Sequence, residues 1–365
     1  MISSIFPPRQ RSFGGWTEAP IRRRAWKWSA AFLAAIAAIW LLYHALAVRG
    51  FDWRLVAFSF THVRPLWLLL AVASVYSTYW GRAVRWKVFL RPLKPRPSMH
   101  NLVSATLVGF TAVSLLGRPG EFVRPYFIAV KEQVSVASQL AAWVLERIAD
   151  LLMVLVLFGF ALAHTGSSAG VAGSRLGWLL AAGGRIAAVL AASTIVLTIA
   201  FRHFAQPVHS VLKRVFHFLP QSLWVRADKL LDSFLQGVES TRSDGALLLI
   251  LLYSALEWLL IVLTYWCLAA SFTELNLTIV DLLVFMGFVS IAASIQIPGV
   301  GGGVQVMAIL VLTELFHVRL ETATAFAFLI WIITFVAVVP AGLIIAMREG
   351  LGWRKLRRLA ATESP

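Results

Sequence analysis

Long apolar runs alternate with short polar breaks along this chain, and the lengths of the runs predict its elements. Six runs, at 26–48, 66–90, 137–163, 176–200, 246–270 and 322–347, exceed the ~20 apolar residues that a helix needs to cross a bilayer. Two further segments are apolar but interrupted. Residues 101–116 and 121–130 flank the break Gly117–Gly120, and 277–296 and 304–316 flank the break Ile297–Gly303. Residues 50–64 read as a short loop. So does 91–97, RPLKPRP, because three prolines cannot sit in one continuous helix. The insert at 201–244 is polar. There Val208, Val211, Leu212, Val215 and Phe216 recur at helical spacing opposite Lys213 and Arg214, which predicts two amphipathic helices on a membrane face, with a packed soluble hairpin as the alternative.

The layout repeats. Residues 66–163 run as full span, short piece, break, short piece, full span, and 246–347 run the same way. A break at membrane depth is tolerated only where protein covers it or where it lines a wet cavity, so each interrupted segment reads as a re-entrant hairpin. The fold expectation is an all-α polytopic membrane protein with about six full transmembrane helices and two re-entrant broken-helix hairpins in an inverted repeat. A tail at 1–25, a membrane domain at 26–347 and a basic tail at 348–365 complete the organisation.

Composition agrees. The chain is 59% hydrophobic and 14% charged, with a mean hydropathy of +0.78, against about a quarter charged in soluble domains. The net charge of +16 does not imply nucleic acid, because the basic residues gather at the ends of apolar runs. With six full spans, 26 of the 33 lysines and arginines fall on one side and 6 on the other, which sets both termini in the cytoplasm of a cell whose inner membrane holds the chain. One cysteine, Cys267, rules out a disulfide framework. No P-loop and no HExxH spacing occur, so neither a nucleotide, a metal nor another cofactor is expected.

Chemistry concentrates in LLGRPGEFVRPY at 115–126. A charge at mid-bilayer costs about 2.5–3.5 kcal/mol on insertion scales, so Arg118, Glu121 and Arg124 are functional candidates by default. The two guanidiniums suit a phosphate. Glu121 can hold them in an empty site or meet a cationic headgroup; alternatively the three residues only pair with one another. Glu146 and Asp150 share a helix face and can pair with Arg124 or Arg118, with Arg147 between them. Gly299, Gly301, Gly302 and Gly303 suit a tight turn whose N–H groups form an anion nest, or else close helix packing. Glu257 stands alone in a span, either as a proton-coupling acid or as a structural one.

Three of these stretches in this order, GRPGEFVRPY at 117–126, ERIADLL at 146–152 and PGVGGGVQ at 298–305, resemble the lysylphosphatidylglycerol synthase transmembrane-region family. The resemblance covers about residues 30–350. It implies a flippase-like domain that binds a membrane phospholipid through Arg118, Glu121, Arg124, Glu146, Arg147, Asp150, Pro298, Gly299, Gly301, Gly302, Gly303 and Gln305. Family members that also synthesise their lipid carry a soluble aminoacyltransferase domain. Here about 18 residues follow the last span, so no synthase chemistry is expected, and a separate lipid synthase or glycosyltransferase is a candidate partner. Many members have a glutamate after the second Gly-rich motif; this chain has Val306. The expected function is movement of a phospholipid, or of an aminoacylated or other anionic lipid, between leaflets. The alternative is an accessory role, or an enzyme's role, in lipid-linked sugar or glycolipid synthesis. A homo-oligomer is compatible with either.

Overall fold

The computed structural model describes residues 51–165 and 243–349, apart from 298 and 300, together with scattered positions between 184 and 233. The expected span at 26–48, more than half of that at 176–200, nearly all of the insert at 201–244 and of both tails, and Pro298 lie outside the described residues. The chain divides into two units, Met1–Trp53 and Arg54–Pro365, and nearly everything described belongs to the second.

The described elements are helical. They are α1 (Trp53–Thr61), α2 (Pro65–Leu90), α3 (Met99–Leu116), a 3-10 turn (Arg118–Phe122), α4 (Val123–Glu132), α5 (Val136–Thr165), α6 (Asp244–Ser271), α7 (Ile279–Ala292), α8 (Gly303–Glu314), α9 (Leu320–Trp331), a π-helical turn (Ile332–Val336) and α10 (Val338–Arg348). Two residue pairs, β1 (Gln296–Ile297) and β2 (Gly301–Gly302), form a minimal antiparallel ladder between α7 and α8. Three described helices, or helices joined end to end, are long and apolar enough to cross a membrane: Met99–Leu116, Asp244–Ser271 and Leu320–Arg348. A fourth is added if Trp53–Thr61 and Pro65–Leu90, bent by 85°, count as one span.

Both expected breaks are present. At the first, α3 ends on Gly117 at φ 71°, a conformation only glycine adopts freely, and Pro119 then opens the 3-10 turn. At the second, Gly299, Gly301 and Gly302 all take positive φ, of 75°, 95° and 112°. Two features differ from the sequence reading. Residues 53–61 form α1 rather than a loop. Val56 and Ser59 are its buried positions, while Leu55 and Phe58 are exposed, so its apolar side is only partly covered. Residues 101–116 belong to an 18-residue helix that starts two positions earlier, where the Ser98 hydroxyl accepts from the N–H of Asn101 and caps it.

α2 and α6 lie side by side and run in opposite directions. The N–H of Arg64, just before α2, donates to Ser271 O at the end of α6 (2.9 Å), and Arg85 near the other end of α2 reaches Ser254. α3 packs on α10 and α7 packs on α5, while α3 pairs with α4 and α7 with α8. One buried core joins Trp86, Phe89, Leu102, Phe127, Ile128 and Leu145; a second joins Ala161 and Leu162 to Leu283 and Val284. The loop before α7 is tied by Glu274, which accepts from the Thr322 hydroxyl (2.8 Å) and pairs with Arg319 (2.7 Å). Those two bonds hold its carboxyl below the usual range.

Candidate functional site

The site is built around Arg85, whose side chain is wholly buried. One guanidinium nitrogen, Nη1, donates to Asp150 Oδ1 and to Ser254 Oγ, both at 2.7 Å. The other, Nη2, donates to Glu146 Oε1 at 2.7 Å and lies 3.1 Å from Glu257 Oε2. A guanidinium is suited to this, because its rigid fork of donors serves several carboxylates at once. Arg82, one turn earlier on α2, lies 2.6 Å from Glu257 Oε1. Arg124 on α4 grips the other side of Glu146, with Nη1 3.1 Å from Oε1 and Nη2 paired to Oε2. Its guanidinium stacks over Trp86 at 4.4 Å and Phe110 at 5.4 Å, an arrangement that suits a weakly hydrated cation. Arg147 completes the cluster, with Nη2 3.2 Å from Asp150 Oδ2 and 3.4 Å from Glu146 Oε2.

The two glycine-bearing breaks meet tip to tip. Arg118, in the first, pairs with Glu121 and donates from Nη2 to Ala293 O (2.7 Å) and from Nε to Ser294 O (3.3 Å), so it closes the carbonyl end of α7. In return the N–H of Gly299 donates to Ser114 O near the end of α3 (3.0 Å), and Gln296 Nε2 reaches Val113 O at 3.5 Å. Beside this contact is an open cavity of about 450 Å³, within the range of small-ligand sites. Arg82, Arg118, Arg124 and Arg147 line it, with Glu121 and Asp150. Tyr79, Trp258, Tyr265 and Phe335 give it an aromatic wall.

Of the residues expected from sequence, Arg118, Glu121, Arg124, Arg147 and Asp150 come together on the cavity. Glu146 sits behind them as the shared partner of Arg85, Arg124 and Arg147. Arg124, rather than joining Arg118 and Glu121, turns to Glu146. Glu257 is not alone: it is enclosed by Arg82 and Arg85. Among the described residues of the Gly-rich turn, Gly299, Gly301, Gly302 and Gly303 do not line the cavity. The turn's amides are engaged within the protein, Gly299 N–H by Ser114 O, Gly302 N–H by the Gln305 side chain (2.6 Å) and Gly303 N–H by Ile295 O (3.0 Å). Sequence reasoning missed Arg82 and Arg85, which looked like the basic end of a span. The available signal was two arginines one turn apart inside a helix that continues to Leu90, facing three span carboxylates with too few partners. Among the described residues no group of acidic, histidine or cysteine side chains is arranged to hold a metal.

Comparison with known families matches the chain to the family model described as Lysylphosphatidylglycerol synthase TM region, over residues 28–342. Searches against curated proteins and against solved structures give no match.

Proposed function

The chain belongs to the lysylphosphatidylglycerol synthase TM region family, and on that premise we propose that it moves a phospholipid, or a related anionic or aminoacylated lipid, between the leaflets of the inner membrane. The observation that carries this reading is the meeting of two broken helices at a charged, open cavity. A lipid headgroup must shed water to cross a bilayer, and fixed guanidiniums beside a cavity replace that water. Arg118, Arg124, Arg147 and Arg82 would face the headgroup, with Glu121 and Asp150 holding the arginines in place.

The contact pattern supports two halves related as inverted copies. α2 and α6 pack on each other antiparallel, and α3 on α10 corresponds to α7 on α5. Rocking of such halves about a site at their interface would expose it to each side in turn. The test is reconstitution of the full chain in vesicles carrying a fluorescent phospholipid that an impermeant reductant bleaches from the outer leaflet. The expected result is bleaching of the inner pool, absent in protein-free vesicles and reduced by Glu121→Ala or Arg118→Ala at equal protein content. An inner pool as protected as in protein-free vesicles would sink the reading. A glycosyltransferase that co-purified with such an inactive chain would turn attention to lipid-linked sugar synthesis.

A further inference from the structure

The cavity has a sign. Among the described residues, five arginines, Arg82, Arg85, Arg118, Arg124 and Arg147, meet four carboxylates, Glu121, Glu146, Asp150 and Glu257, so by formal charge the cluster carries one positive charge in excess. Its lining is also one-sided in hydrogen bonding; the two oxygens of Glu257, behind it, lack a well-aligned hydrogen bond but are ion-paired with Arg82 and Arg85. The carboxylates that line the cavity already face guanidiniums: Asp150 faces Arg85 and Arg147 through its two oxygens, and Glu121 faces Arg118. Glu146 and Glu257 are behind the wall, each fully buried against two or more arginines. Among the described residues that line the cavity, the buried side-chain atoms without a hydrogen-bond partner are donors: Arg82 Nε, Arg147 Nε and Trp258 Nε1. Arg147 keeps 39% of its side-chain surface open while it lines the cavity. A buried donor with no acceptor is costly, and the cheapest remedy is a ligand rich in acceptors.

We propose that this cavity takes a phosphate-bearing group of net negative charge, and that it rejects the same lipid once an aminoacyl group has made the headgroup cationic. The proposal rests on the translocator reading for the lipid nature of the ligand. A phosphodiester brings one negative charge, which cancels the excess, and oxygens for the unspent donors. An ammonium would find the nearby carboxylates already occupied and would add charge of the sign the site has in surplus. The donor geometry selects an acceptor, and the net charge sets which form of the headgroup can be held.

The experiment is a binding titration of the full-length protein in detergent, read by native mass spectrometry. The probes are phosphatidylglycerol, its lysyl ester, phosphatidylcholine and inorganic phosphate. Phosphatidylglycerol is expected to bind at least about tenfold more tightly than the lysyl ester, the scale of one charge-assisted hydrogen bond. Trp258→Phe, which keeps the ring and removes one donor, is expected to weaken phosphatidylglycerol by about tenfold and leave the lysyl ester unchanged. Arg147→Gln should erase the preference between the two lipids, and its folding is checked by elution and thermal midpoint. Equal or tighter binding of the lysyl ester, or a preference that survives Arg147→Gln in folded protein, would overturn the proposal. If inorganic phosphate displaces the lipid as well as another lipid does, the anion site stands and its source is a soluble phosphate. That outcome would count against lipid translocation and not against the sign of the site.

Discussion

Arg85 shows how a single side chain can decide whether a charged core is affordable in an apolar protein. It contacts Asp150, Glu146, Glu257 and Ser254 with no exposed surface. Removing one member of a buried ionic set strands the others, which costs on the order of 3–5 kcal/mol. Arg85→Ala is therefore expected to lower the thermal midpoint sharply or to abolish accumulation, and purified yield with fluorescence-detected unfolding checks it. Glu121→Ala is the contrast. Its partner Arg118 is 46% exposed, so the pair is worth less than about 1 kcal/mol and the midpoint should barely move while lipid movement falls. Gly109 makes a similar point about space. An added Cβ would be 2.5 Å from the Arg124 Cβ, so Gly109→Ala pushes α3 off α4 at the site and should cost about 1–3 kcal/mol. Gly81 on α2 meets nothing within 4 Å, so Gly81→Ala should gain about 0.5–1 kcal/mol instead. Thermal unfolding of the two alanine variants side by side separates the cases.

At the scale of elements, the broken helices were legible because their breakers act locally. Gly117 needs positive φ whatever packs nearby, and Pro119 and Pro125 restrict the chain by their own rings. The partners of those elements were not legible, because partner choice is a property of three-dimensional packing. Nothing local in Arg82 or Arg85 separates an inward-facing arginine from one that marks the membrane edge, and both occur at the ends of spans. Nor does 322–347 announce its π-helical turn at Ile332–Val336, where the Ala337 N–H reaches Ile332 O (3.0 Å). Two tyrosines of α2 bond to backbone carbonyls in this turn and just after it. Tyr79 donates to Thr334 O (3.2 Å) and Tyr76 to Ala337 O (2.8 Å). Thr334 and Phe335 line the cavity, so the turn shapes the site. Tyr79→Phe keeps the ring on Phe110, 5.0 Å away between centroids, and removes the hydrogen bond to Thr334 O, at about 0.5–1.5 kcal/mol. The expected result is a lower thermal midpoint and slower lipid movement, with Tyr76→Phe milder because Tyr76 is exposed. Equal effects of the two would show that the turn does not depend on the buried tyrosine.

For the whole molecule, the proposed orientation rests on two independent lines that meet at α2 and α6. Because the pair is antiparallel, the segment after α2 and the segment after α6 emerge at opposite ends. The first is basic, with Arg91, Lys94 and Arg96, while the second, 272–278, carries no lysine or arginine. Because basic segments stay on the cytoplasmic side, we propose that the end of α2 faces in and the end of α6 faces out. A further tie lies near the Glu132 end of α4, where Lys131 pairs with Glu349 after α10 and donates to Ser104 Oγ (2.5 Å), joining the first broken segment to the end of the last described helix. Single cysteines at the exposed positions Arg91 and Asn276, in a chain whose buried Cys267 is replaced by alanine, test the arrangement. With an impermeant maleimide on intact cells, Asn276→Cys is expected to label and Arg91→Cys to label only after permeabilisation. The reverse pattern would invert the chain in the membrane. Labelling of both from one side would mean that α2 and α6 do not each cross the bilayer, and the inverted-repeat reading would fall with them.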